Sequence, residues 1–284
     1  MSRPVLKWAG GKARLAPRIV EAFEGPCRGV WYEPFLGSGA VFLYRKARKQ
    51  IGHAVLSDAN PKLIAMHTAI RDDVDAVLDA LHALPKDDWR EAYYEQRALF
   101  NLGPWEGPLH AARLIWLNRT GFNGLYRENR SGGYNVPVGR YASLKLPADD
   151  LIRRVSTLFQ DTELRACGFD DVMVHATTHD QVYCDPPYVP LNATADFTAY
   201  CKQPFGLDAQ VSLAQMAQRA AWRGADVVLS NHDLPLVRHE LYPQSCGFEY
   251  VSRPDVSRAI SRSVNSRKPI REVIARLRAR RRVA

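Results

Sequence analysis

The chain predicts an α/β protein, a Rossmann-like and mostly parallel sheet interrupted by a mainly helical insertion. Three observations lead there. Short apolar runs that end in an acid or a turn alternate with helical patterns along most of the 284 residues. A glycine turn, Gly37-Ser38-Gly39, joins the first such run to a helix beginning at Ala40. From residue 60 to residue 118 the strand pattern is absent, and apolar residues recur only at helical spacing.

Arg28–Pro34 is aromatic and β-branched, ends in Glu33, and reads as the first strand. Phe35 leads into the glycine turn. Ala54–Asp58 is the second strand, and Asp58 stands 19 residues beyond Gly39. At about that separation an acid can reach a ribose hydroxyl. Phe42 occupies the place of the third glycine in a dinucleotide fingerprint, which argues against NAD and its pyrophosphate. A nucleoside without phosphates remains, and S-adenosylmethionine is one. Asn60-Pro61 then supplies an N-cap and a first helical residue. Leu63, Met66, His67, Ile70, Val74, Val77, Leu78 and Leu81 follow as one core stripe up to Pro85, and further helical patterns run over Trp89–Phe100 and Pro108–Asn118.

Asn118–Lys145 is dense in glycine and turn residues and predicts an exposed hairpin. It carries Arg119, Arg127, Arg130, Arg140 and Lys145 against a single acid, interleaved with Phe122, Tyr126, Tyr134 and Tyr141. Arginine can fork onto guanine and a ring can wedge between bases, so the composition suits a nucleic-acid contact. Helix resumes over Asp149–Leu158, and Thr162–Cys167 is a strand ending at Gly168-Phe169-Asp170. Val182–Cys184, Ala225–Ser230, Phe248–Ser252 and Glu272–Leu277 are the remaining strands, with a helix over Ala209–Trp222. Ligands of such sheets lie at the carboxyl ends of the strands. The glycine turn, Asp58 and Asp185-Pro186-Pro187-Tyr188 all fall at such ends.

Composition narrows the class. No apolar run approaches the roughly 18 residues of a membrane helix, and Lys7, Lys12 and Arg14 break the only candidate signal segment. Five scattered cysteines without a C-x-x-C argue against disulfides or zinc and for a reduced cytoplasmic protein. His175 and His179 have a metal-pair spacing but no intervening glutamate, and read as ordinary polar residues. The net charge of +9 resides in the segment from Arg253 onward, where eleven Lys/Arg face two acids. Such a segment attracts polyanions. Taken alone, the basic run Arg278–Arg282 reads as a solubilising tail.

The most informative tetrapeptide is Asp185-Pro186-Pro187-Tyr188. Two prolines fix φ and remove two backbone donors, leaving carbonyl acceptors beside a carboxylate and an aromatic ring. A planar amino group on a ring is the natural guest. With Lys7-Trp8-Ala9-Gly10-Gly11-Lys12, Glu33–Gly39, Leu117–Arg119, Asn123–Leu125, Tyr134–Pro137, Arg140-Tyr141, Phe197–Tyr200 and Ser230–Asp233, the chain resembles the Dam-type DNA adenine-N6 methyltransferases over nearly its full length. The motif order is that of the alpha group of amino-methyltransferases.

The resemblance implies a seven-stranded, S-adenosylmethionine-dependent catalytic domain over residues 1–59 and 146–284, with a DNA target-recognition domain inserted at 60–145. It implies catalytic Asp185, Pro186, Pro187 and Tyr188. It implies cofactor contacts from Trp8, Lys12, Glu33, Phe35, Gly37, Gly39, Asp58, Phe169, Asp170 and Asp185, and no metal. DNA contacts are implied for Lys7, Asn118, Arg119, Phe122, Asn123, Leu125, Arg127, Pro137 and Arg140. Phe122 and Thr120 stand where the family leads one to expect a tyrosine and an aromatic. The expected partner is double-stranded DNA, usually at GATC, with no membrane; a monomer is compatible with the sequence, and localisation is cytoplasmic at the nucleoid. Two alternatives stay open: a catalytically inactive DNA-binding regulator, and a methyltransferase acting on RNA or a protein amide.

Overall fold

In a computed structural model the described residues are 3–191, 205–256 and 270–279. The Phe197–Tyr200 motif and Arg280–Arg282 of the basic tail lie outside them. The chain divides into two compact units. One comprises Met1–Arg14, Gly37–Ala47 and Asn60–Ala166, the other Leu15–Leu36, Arg48–Ala59 and Cys167–Ala284.

The second unit opens with α1 (Ala16–Glu21) and contains the sheet from which the Asp185–Tyr188 turn leaves. Its strands are β1 (Trp31–Glu33), β2 (Ala54–Asp58), β4 (Gln181–Cys184), β5 (Asp226–His232), β6 (Glu249–Ser252), β7 (Asp255–Val256) and β8 (Ile270–Leu277). Within it the order is β2-β1-β4-β5-β8-β6, with β7 paired to β8. The β2, β1, β4 and β5 neighbours are parallel, whereas β8 runs antiparallel to β5, β6 and β7. The β-α alternation expected throughout therefore stops after β5, where the chain closes the sheet with antiparallel strands. Every residue of β1, β4 and β5 is buried, the polar ones included, as befits central parallel strands. Val182, Cys184, Val227, Leu229 and Val273 form the core with Leu213, Ala217 and Ala220 of the long helix Leu207–Trp222. Asp180 fastens the start of β4 to the start of β1. Its Oδ1 accepts from Val30 N at 2.7 Å and its Oδ2 from Thr177 N at 2.8 Å.

The first unit is mainly helical. Its helices are α2 (Ala40–Lys46), α3 (Pro61–Asp72), α4 (Val74–Ala83), α5 (Trp89–Leu102), α6 (Gly107–Thr120) and α7 (Asp149–Phe159), followed by β3 (Thr162–Ala166). Asn60 caps α3 as its sequence predicts, its side chain accepting from Lys62 N and Leu63 N. The stripe expected to run unbroken to Pro85 is two helices. Asp73, at φ −148° and ψ 75°, ends α3, and its carboxylate accepts from Ala76 N to cap α4. Helices α3, α4 and α5 all pack on α6. Helix α6 is accordingly buried at nine of its fourteen residues, from His110 to Thr120. Gly121 is obligatory where α6 gives way to the hairpin, because a Cβ there would lie 2.7 Å from Leu117 O and 2.9 Å from Tyr134 Oη.

His67, on the apolar stripe of α3, is 3% exposed and packs on the Phe159 ring at 5.0 Å. Its Nε2 donates to the Gly37 carbonyl at 2.9 Å. Burial pushes its pKa down to about 4, against a smaller upward pull from that bond. The unfolded chain thus binds the proton more tightly, and stability drains as pH falls from 6.5 towards 4. Urea unfolding midpoints of His67→Gln should lack that part of the acid slope, worth roughly 3 kcal/mol. Asp180→Ala should cost about 2 kcal/mol in the same measurement, since it strands two partly buried backbone donors.

Candidate functional site

In the second unit the parallel strands end in a row of acids. β2 ends at Asp58, β1 at Glu33, and β4 runs directly into Asp185. Glu33 is 2% exposed and accepts from Trp31 Nε1 at 3.0 Å. Phe35 follows β1 and stacks on Phe169 with centroids 5.7 Å apart, while Phe205 meets Phe35 edge-on at 5.5 Å. Phe169 opens α8 (Phe169–Met173), with Asp170 in its first turn. Half-buried rings beside carboxylates suit a purine nucleoside, with rings for the base and acids for amino and hydroxyl donors. These positions offer no basic side chain for a phosphate.

The Asp185–Tyr188 turn is held by four side chains from three elements. Gln210 Nε2, on the long helix α9 (Leu207–Trp222), donates to Pro187 O at 2.7 Å. Asn231 Oδ1, on β5, accepts from Val189 N at 3.1 Å and from His232 N at 2.9 Å. The Asn231 amide nitrogen in turn donates to Gln210 Oε1 and to Tyr242 Oη. His232 Nδ1 donates to Val189 O at 2.6 Å, and its ring meets Tyr188 edge-on at 4.9 Å. Finally, Tyr188 Oη donates to Glu272 Oε2, on β8, at 2.9 Å. Pro186 is buried and Pro187 exposed. Burial, and then the Asp185 carboxylate, hold the Tyr188 phenol and the Cys184 thiol protonated, well above their ordinary pKa values. Neither is a nucleophile at neutral pH.

In the first unit, Lys12 is 6% exposed in a short 3₁₀ turn, and its Nζ donates to Gly10 O at 2.6 Å. Gly37 adopts φ +50°, and a Cβ there would lie 3.0 Å from Trp8 Nε1. Glycine is required on both counts. Gly39, at φ +71°, starts α2. Trp8 lies against Tyr126 of the hairpin, with centroids 5.4 Å apart and planes at 30°.

Residues 118–141 form an irregular antiparallel hairpin with bridges at Gly121–Val138 and Glu128–Tyr134. It is less exposed than its composition suggests, because Tyr134 and Val136 are both 1% exposed. Asn101 clamps both the backbone N and O of Tyr134. Lys62 Nζ donates to Glu128 at 2.8 Å and to Gly132 O, and lies 4.2 Å over the Trp105 ring. Arg127 is exposed, with Nε on Asn135 Oδ1 at 2.7 Å and Nη2 on Asn135 O at 3.0 Å. Lys7, Pro137 and Arg140 are also exposed, and Phe122, Asn123 and Leu125 are half-buried.

Two of the expected DNA contacts make internal bonds. Asn118 is 2% exposed, and its amide is spent on Lys7 N, Lys7 O and Gly124 O, all within 2.9 Å. Arg119 turns its guanidinium to Val5 O. Both stitch the N-terminal motif to the hairpin base, since buried polar groups must find internal partners. Lys62, Asn101, Gln210 and Glu272 escaped the sequence reading because each acts at long range and sits in no local motif. Among the described residues no group of three or more His, Cys, Asp or Glu side chains comes together to hold a metal, His175 and His179 included. Nor is any described helix long and apolar enough to cross a membrane.

The sequence is similar to those of known proteins. The profile of the D12 class N6 adenine-specific DNA methyltransferase family matches residues 8–254. The DNA adenine methylase of Escherichia coli K12 is 37% identical over 278 residues, covering 96% of this chain and 95% of its own. That of Haemophilus influenzae is 36% identical over 279 residues, covering 96% and 93%. The type II methyltransferase M.MjaIII of Methanocaldococcus jannaschii is 35% identical over 244 residues, covering 81% and 84%. With a profile spanning most of the sequence and relatives above one-third identity along it, the chain belongs to the D12 class of N6 adenine-specific DNA methyltransferases.

Proposed function

We propose that the protein moves a methyl group from S-adenosylmethionine to the N6 amino group of an adenine flipped out of duplex DNA, at GATC. The single observation that carries the chemistry is the Asp185–Tyr188 turn, a carboxylate, a proline carbonyl and a ring on a backbone braced by Gln210, Asn231 and His232. Residues 1–59 and 146–284 form the catalytic domain in this reading, and 60–145 the target-recognition insert. The cytoplasmic nucleoid is the place of action.

Bound S-adenosylmethionine supplies an electrophilic methyl on a sulfonium centre. Phe35 and Phe169, stacked on each other, would offer a ring surface to its adenine, while Asp58 would accept from the ribose hydroxyls and Asp170 from the base. Trp8, Lys12, Glu33, Gly37 and Gly39 take their roles from the family's motif order, Lys12 as the partner of the cofactor carboxylate. The target amine is a poor nucleophile because its lone pair is delocalised into the purine. The atom is also unreachable inside a duplex, so the base must leave the stack at a cost of a few kcal/mol. Phe122 fills the gap, and Tyr188 stacks on the extruded base, worth roughly 1–3 kcal/mol. Asp185 and the Pro186 carbonyl accept the two N6 hydrogens, which draws the nitrogen towards a pyramid with its lone pair facing the methyl. Positioning and matched charge then suffice. No strong base is needed, since the alkylated nitrogen would be cationic and would lose its proton to Asp185 or solvent, while the donor would leave as a neutral thioether.

Sequence readout is assigned to the hairpin. Asn135 holds one edge of the Arg127 guanidinium, which pre-orients the remaining N–H groups for a bidentate guanine contact. Lys7, Asn123, Leu125, Pro137 and Arg140 are the further proposed DNA contacts.

Transfer of labelled methyl to a GATC duplex, and none to the same duplex already N6-methylated on both strands, is the outcome that tests this function. Asp185→Ala should lower that transfer by at least about 10²–10³-fold while duplex binding persists; retained turnover removes Asp185 from the mechanism. Arg127→Ala should cost ~1–3 kcal/mol on the cognate duplex and relax discrimination. An equal loss on every sequence reduces it to a phosphate clamp.

A further inference from the structure

Tyr188 must present one face to its guest, yet it stands at the end of a turn on two freely rotating side-chain bonds. The structure surrounds it with two fixed points. His232 presses edge-on to the ring with centroids 4.9 Å apart, and Glu272 Oε2 takes the hydrogen bond of the phenol at 2.9 Å. His232 and Glu272 are register partners across the antiparallel β5–β8 pair, so both fixed points sit on one rung of the sheet. A bond from a neutral hydroxyl to a carboxylate is charge-assisted and directional. It grips the ring at the end farthest from its backbone, where a small rotation displaces the most atoms.

We propose that Glu272 is a positioning residue for methyl transfer: its carboxylate fixes the plane of the Tyr188 ring on which the target base stacks. The role rests on the function proposed above. Glu272 touches neither base nor cofactor in this scheme and acts only through the phenol. The hydroxyl stays the donor at working pH, because burial and the neighbouring Asp185 and Glu272 carboxylates oppose its ionisation. Strand β8 belongs to the antiparallel end of the sheet, outside the motifs of the parallel half. Glu272 is the side chain through which it meets the Tyr188 hydroxyl.

The test is a double-mutant cycle on the full-length protein, read as the single-turnover methylation rate of a GATC duplex at saturating S-adenosylmethionine and DNA. Glu272→Ala should slow the rate by about 10- to 100-fold, the scale on which a misplaced reacting group is felt. Duplex affinity by fluorescence anisotropy should stay within about twofold, as the ring still stacks in the ground state. Glu272→Gln, whose amide oxygen still accepts from the phenol, should recover the rate to within about threefold. In a Tyr188→Phe background, Glu272→Ala should add less than about twofold, because the shared bond is already gone. Wild-type rates in Glu272→Ala overturn the proposal. So does an equal loss with and without the Tyr188 hydroxyl, which a purely structural carboxylate would give. A wild-type protein that methylates no GATC duplex overturns the proposed function, and this role with it.

Discussion

The architecture around the Asp185–Tyr188 turn starts from two missing backbone donors. Pro186 and Pro187 cannot contribute N–H groups, so neighbouring main-chain atoms must be satisfied by side chains arriving from elsewhere. Gln210 takes the Pro187 carbonyl, Asn231 the Val189 amide, and His232 the Val189 carbonyl. These three are linked among themselves through the Asn231–Gln210 amide pair and the His232 backbone. Fully satisfied buried networks of this kind rigidify what they surround. The turn is stiff because its own backbone is deficient, and a stiff turn is what a reaction driven by positioning needs.

The sheet supplies the frame for that network. Parallel pairing brings the ends of β2, β1 and β4 to one edge, so Asp58, Glu33 and Asp185 fall in a row. The antiparallel strand β8 then enters beside β5 from the opposite direction. That reversal brings Glu272 level with His232 at the same edge, a position that a parallel crossover strand would have given to a residue near its carboxyl end. The change from parallel to antiparallel is thus a chemical feature of the unit as well as a topological one.

In the helical unit, the same economy governs the hairpin. Tyr134 and Val136 face inward, with Asn101 and Tyr93 on their backbone groups, and Lys62 ties down Glu128 and Gly132. The exposed Arg127 and Arg140 project from a hairpin whose other face is core. A loop anchored this way can keep its arginines aimed before any ligand arrives, which lowers the ordering cost of binding.

The sequence by itself determined the α/β class, the strand ends at Asp58 and Asp185, the Asn60 cap and the identity of the family. These depend on local periodicity, on capping and turn chemistry, and on motifs that occupy consecutive residues. Tertiary structure alone decided that Asn118 and Arg119 face inward, that Asp73 splits one apolar stripe into two helices, and that Lys62, Asn101, Gln210 and Glu272 serve the hairpin and the turn. Tyr188 and Glu272 lie 84 residues apart in the chain, as do many partners of a buried polar group. A side chain's spacing in sequence carries no trace of which distant strand will be folded beside it; only the closed sheet defines that.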